Sequence, residues 1–151
     1  MSKKKITVMC IMFFLAIVLI LYFVFIFRLP LHETRPIGTS ISSGSFRELS
    51  GSYRLDCEGN VELIETNDGN HVLYFSNVLI DSALTNIYMS DKTSFNSQLE
   101  DFGTNVDLGP IPTTSGSFSV SIPDNVDVSI YNTVLIANSL SKSIICYARL
   151  T

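Results

Sequence analysis

The 22-residue stretch from Ile6 to Phe27 contains no charged side chain. About 20 apolar residues at a rise of about 1.5 Å each match the hydrocarbon thickness of a bilayer. Lys3, Lys4 and Lys5 stand before the stretch, and Arg28 and Pro30 close it. Lysines flanking a span stay on the cytoplasmic side, which sends the rest of the chain across. The expected organisation is a cytoplasmic N-terminus (1–5), a transmembrane signal anchor (6–27), a tether (28–45) and an extracytoplasmic domain (46–151), in a single-pass protein facing the extracellular space or a periplasm. A cleaved signal peptide has an apolar core of about 7–15 residues and a small-x-small cleavage site. Phe27-Arg28-Leu29-Pro30-Leu31-His32 offers no such site. Cys10 lies near the start of the run, where a lipoprotein cysteine does not belong, and reads as a small apolar packing residue.

Beyond Pro30 all 14 acidic residues of the chain face only six basic ones (Arg35, Arg47, Arg54, Lys92, Lys142 and Arg149), a balance of −8. That charge excludes binding to nucleic acid through a basic surface. About 120 residues suffice for one domain and not for two.

Arg28–Pro36 carries two prolines and 37–45 (IGTSISSGS) is rich in Ser and Gly, so both read as tether. From Phe46 the pattern turns to β. Alternation marks strands within 46–56 and 117–123, and β-branched or aromatic runs mark 61–65, 71–76, 84–90, 132–137 and 143–150. Glu58-Gly59-Asn60 reads as a turn, and Asn67-Asp68-Gly69-Asn70 as a tight hairpin. The segment 91–106 is polar and irregular, with a short helix expected around 97–102. The two prolines in 107–112 bar it from a central strand. The expected fold is all-β, an antiparallel β-sandwich or barrel-like domain of seven to eight strands preceded by one transmembrane helix.

Cys57 shares a strand face with Tyr53 and Leu55, and Cys146 with Ile144, Ala148 and Leu150. Two inward cysteines in an oxidising compartment either pair, closing a long loop, or remain buried thiols acting as small hydrophobes.

Residues for chemistry are few. Of two histidines, His32 lies in the tether and His71 opens a strand, with no third ligand at a usual spacing, so no metal site is expected. The oxygen-rich segment 65–70 has Phe75 where a calcium loop needs glutamate. No Gly-x-Ser-x-Gly elbow, phosphate loop or dinucleotide fingerprint occurs. No catalytic residue is assigned, and the chain reads more as a non-enzyme than an enzyme.

The second half carries an ordered set of weak motifs: Leu108-Gly109-x-Ile111, Gly116-Ser117-Phe118-Ser119-Val120-x-Ile122-Pro123, Asp127-Val128-x-x-Tyr131-x-x-Val134-x-Ile136 and Ala148-x-Leu150. Gly44-x-Phe46, Leu49-Ser50-Gly51 and Ile87-Tyr88-Met89-Ser90 extend the set forward. From Gly44 to Leu150 the chain thus resembles the DM13 domain family of small extracellular β modules. The resemblance implies electron transfer through a cysteine just after the Val-x-Ile strand. That position is Asn138 here, a family histidine reads Arg47, and a Gly-Pro-Asp stretch reads Ser82-Ala83-Leu84. An amide carries no thiol redox chemistry. The expected function is therefore a membrane-tethered binding or interaction module that meets a protein or glycan through loops such as 90–112 and uses no cofactor. The alternative is a redox component of the DM13 type, for which haem or flavin would be the cofactor.

Overall fold

Runs of β-branched and aromatic residues, punctuated by Gly, Pro, Asn and Ser, build nearly all of the structure. The computed structural model describes residues 12–20, 31–49, 57–82 and 84–151. Its strands are β1 (Leu31–His32), β2 (Gly38–Ser45), β3 (Arg47–Glu48), β4 (Cys57–Thr66), β5 (His71–Ile80), β6 (Thr85–Ser90), β7 (Asn105–Pro110), β8 (Ser115–Ser121), β9 (Thr133–Asn138) and β10 (Ile144–Arg149). They form two five-stranded sheets, ordered β1-β8-β5-β4-β2 and β3-β10-β9-β6-β7. Every pairing is antiparallel except that of β1 with β8.

The all-β expectation holds, with ten strands among the described residues rather than seven or eight. Residues 12–20 are helical, and no helix among the described residues is long and apolar enough to cross a membrane. The remainder of the expected anchor, 6–11 and 21–27, lies outside the described residues, as do Tyr53 and Leu55.

The core lies between the sheets. Val61, Leu63, Leu73, Phe75 and Phe118 of the first sheet meet Ile87, Met89, Val134, Ile136 and Ala148 of the second. Phe75 stacks on Phe118 at 4.7 Å and on Phe46 at 6.0 Å, forming a row of rings. The second sheet is also covered on its outer face. There Phe95 and Phe102 pack over Leu49, Tyr88, Leu135, Ala137 and Ile144. Strand β9 is thus buried on both faces, which explains its continuous apolar run, since alternation is a signature of one-sided burial. The segment 91–104 forms this cover with turns rather than the expected helix. Ser90 and Thr133 hydroxyls bind its carbonyls at Phe102 and Lys92.

Three local readings need correction. Glu58-Gly59-Asn60 is not a turn: β4 runs straight through it with a register shift, and Gly59 takes φ +123° as a β-bulge. Another bulge, between Ile144 and Cys146, moves Ile144 to the outer face, while Cys146, Ala148 and Leu150 remain inside. Segment 105–110 is a strand, but an edge one, so Pro110 and Pro112 keep it from the sheet centre as expected. Above all, 31–45 is no tether. Glu33 receives a hydrogen bond on its carboxylate from the Ser119 amide at 2.7 Å, and its amide donates to the Ser117 carbonyl at 2.8 Å. Arg35 grips both oxygens of Glu62 at 2.8 Å. The chain thereby crosses the outer face of the first sheet from β1 at one edge to β2 at the other. Gly116, at φ +104°, admits this path because a Cβ there would strike the Leu31 carbonyl.

Cys57 on β4 and Cys146 on β10 form a disulfide between the sheets, with Cα atoms 6.2 Å apart and a sequence separation of 89. Closing a loop of that length restricts the unfolded chain by about 4 to 5 kcal/mol in the chain-entropy treatment. Replacing both cysteines by alanine is expected to lower the unfolding free energy by an amount of that order, read as a fall in the denaturant midpoint, and an unchanged midpoint would show that the bond is absent. The Glu62 carboxyl sits below its ordinary range, chiefly because Arg35 hydrogen-bonds to it and against the opposing effect of burial. The stability this pair confers, about 0.2–1 kcal/mol for an exposed pair, is complete above the unfolded glutamate value and is lost as pH falls through the folded one. The stability gap between the wild-type chain and Arg35→Ala should therefore shrink below about pH 4; a gap independent of acidification would refute the assignment.

Candidate functional site

Strand parity builds the most distinctive surface feature. Cys146 and Ala148 face the core, so Tyr147 and Arg149 face outward from β10. Arg47 on β3 stands opposite Tyr147 in the register, which places it on that same outer face. Diagonal neighbours across a strand pair lie within reach of long side chains, so Arg47 and Arg149 flank Tyr147. Its ring is fixed edge-on against Phe95 at 5.5 Å.

These three side chains line a cleft of about 650 Å³ where the two sheets join. Ser43, Ser45 and Asn60 contribute from the first sheet, and Thr93 and Ser94 from the covering segment. The junction itself is backbone. Ser43 and Thr151 exchange two hydrogen bonds, at 3.2 and 3.0 Å, and the Phe46 amide donates to the Gly59 carbonyl at 3.0 Å. Gly44 lets the strands close, since a Cβ there would strike the Arg149 carbonyl.

The electrostatics of the cleft oppose those of the domain. Arg35 and Lys92 are paired with Glu62 and Glu100. Arg47 and Arg149 have no carboxylate partner among the described residues. The two guanidiniums line the cleft together with the hydroxyls of Ser43, Ser45, Thr93, Ser94 and Thr151 and the Asn60 amide, and so present many hydrogen-bond donors. Guanidinium forks bind carboxylate, sulfate or phosphate oxygens two at a time.

A second, smaller cavity of about 380 Å³ lies between the covering segment and the β9–β10 turn, lined by Tyr88, Leu99, Phe102 and Lys142 among others. The Lys142 ammonium donates to the Tyr88 hydroxyl at 2.7 Å, which raises its pKa. One of its three donors is thus used within the fold.

The residues singled out in the sequence fall elsewhere. Cys57 and Cys146 are both buried in the disulfide and offer no thiol to solvent. Asn138 accepts hydrogen bonds from the amides of Leu140 and Ser141, both at 3.0 Å, and so shapes the turn into β10. The redox alternative therefore has no thiol at either location. His71 opens β5 opposite Glu65 and His32 lies on β1, and no group of three metal-ligating side chains occurs among the described residues. The loop 90–112, expected to meet a partner, is largely folded onto the second sheet. Arg149 and Tyr147 were within reach of sequence reasoning, because the alternation that turns Cys146 inward turns them outward. Their meeting with Arg47 was not, since it depends on β3 pairing with β10.

The chain matches no family model, no curated protein and no solved structure.

Proposed function

We propose that this chain is a membrane-anchored, extracytoplasmic β-sandwich of the DM13 type that binds an acidic glycan in the cleft between its sheets. The observation that carries the reading is Arg47 and Arg149 around Tyr147, neither set against a carboxylate among the described residues, in a domain otherwise dominated by carboxylates. Hydroxyl-rich walls suit a hydroxyl-rich ligand, an aromatic ring offers a face to a sugar, and the guanidiniums select carboxylate or sulfate groups. Anchoring at 6–27 is supported by the length of the uncharged run, the lysines before it and the exposure of all nine side chains of the 12–20 helix, Phe13 and Phe14 included. An inter-sheet disulfide fits an oxidising compartment.

The test is a titration of the protein with a uronic-acid oligosaccharide, followed by backbone amide shifts. Shifts are expected at 43–47, 93–94 and 147–151, weakening with added salt. They should vanish in the Arg47→Ala, Arg149→Ala double variant and be absent with a neutral oligosaccharide. Shifts that persist in the double variant, or that map elsewhere, would overturn the cleft as the site.

A further inference from the structure

We propose that the end of the sandwich from which the chain leads back towards residues 6–27 is itself seated in the lipid surface through exposed leucines, so that the domain is docked on the bilayer rather than swinging from it. This rests on the anchor reading above.

Three loops meet at that end. The Ser139 amide donates to the Leu84 carbonyl at 2.8 Å, which joins the loop before β6 to the β9–β10 turn. The Ile144 amide donates to the Gln98 carbonyl at 2.7 Å, which brings in the tip of the covering segment. Each of the three carries one leucine projecting into solvent: Leu84 at 65%, Leu99 at 79% and Leu140 at 79% exposure. Leu79 and Leu31, at 48% and 38%, lie at the same end of the first sheet, where β5 finishes and β8 begins. All the exposed leucines of the sandwich among the described residues therefore gather at one end. The exposed isoleucines, Ile37, Ile41 and Ile130, lie away from it. Leu84 is further held at φ +56°, a conformation unfavourable for a large side chain. Apolar side chains collected from separate loops and left in water mark an interaction surface.

The course of the chain identifies the occupant. Leu31 pairs with Gly116 at the start of β8, in parallel, so the first described residue of the sandwich stands at this end. Three residues, 28–30, separate Leu31 from Phe27. Four residue steps span at most about 14 Å at about 3.6 Å each. With the link that short and 33–37 pinned across the sheet, the leucine-bearing end cannot leave the neighbourhood of the bilayer surface. Leucines at that depth gain by entering the interfacial region, as apolar faces of surface-seated segments do. Asp81 and Asp101 are exposed at the same end and outnumber the exposed Lys142 of the β9–β10 turn, so the contact is apolar and needs no anionic lipid.

The chain contains no tryptophan, so single probes report without background. Full-length protein is reconstituted in phosphatidylcholine nanodiscs, with and without lipids brominated along the acyl chains. Leu99→Trp and Leu140→Trp are compared with Ile130→Trp, and thermal unfolding checks that each variant folds. Docking predicts blue-shifted emission and bromine quenching at positions 99 and 140, with neither at 130, and no dependence on added anionic lipid. Protein retained in nanodiscs with unquenched, red-emitting probes at both 99 and 140 would overturn the docking while leaving the anchor intact. Protein that fails to remain with the nanodiscs would overturn the anchor, and the docking with it.

Discussion

The structure depends on the seam where the two sheets are joined. Ser43 and Thr151 trade backbone hydrogen bonds across it, Gly44 permits the approach, and the Cys57–Cys146 bond fastens β4 to β10 a short way along. A sandwich has four open edges, each an exposed row of backbone donors and acceptors. Here the chain passes from β2 through the buried Phe46 into β3 and so carries one sheet into the other. Two of the edges are thereby closed against each other, and the domain becomes partly barrel-like along that side. The cleft of Arg47, Tyr147 and Arg149 is a direct product of this closure. Without β2 and β3 in place, those side chains would belong to an ordinary sheet surface.

Much of the fold is legible in the residues because burial imposes periodicity. Phe118, Val120 and Ile122 alternate, Asn67-Asp68-Gly69-Asn70 makes a hairpin, and Cys57 and Cys146 face inward by parity. Misreadings arise where the signal was weak or a single residue broke the period. Strand β2 is Ser- and Gly-rich, with an outer surface that faces solvent, so its composition resembles a linker; what makes it a strand is the long-range pairing with β4. The bulges at Gly59 and Ile145 shift the register by one residue, which local alternation cannot reveal. The outer cover of the second sheet was hidden for a related reason. Phe95 and Phe102 are isolated aromatic residues in a polar segment, and only the three-dimensional path of that segment brings them over Leu135 and Ala137.

The candidate site was less legible than the fold. Its arginines come from strands distant in sequence, one of them two residues long. A cationic cleft in an acidic domain is informative because it opposes the average: carboxylates are plentiful, yet none is set against Arg47 or Arg149 among the described residues. The same structure that builds the cleft also fixes the segment 31–45, so the cleft and the leucine-bearing end hold a constant relation to one another. If the proposed anchoring and docking hold, a ligand site in the cleft would present itself at a fixed height and angle above the membrane.

The most direct test of this picture is amide hydrogen exchange across the seam in the full-length protein. Integration of 31–45 into the sandwich predicts that the amides of Ser43 and Thr151 are protected to an extent comparable with those of β9, and open only with the sheets. Exchange of both at the rate of an unstructured peptide, with β9 still protected, would contradict it.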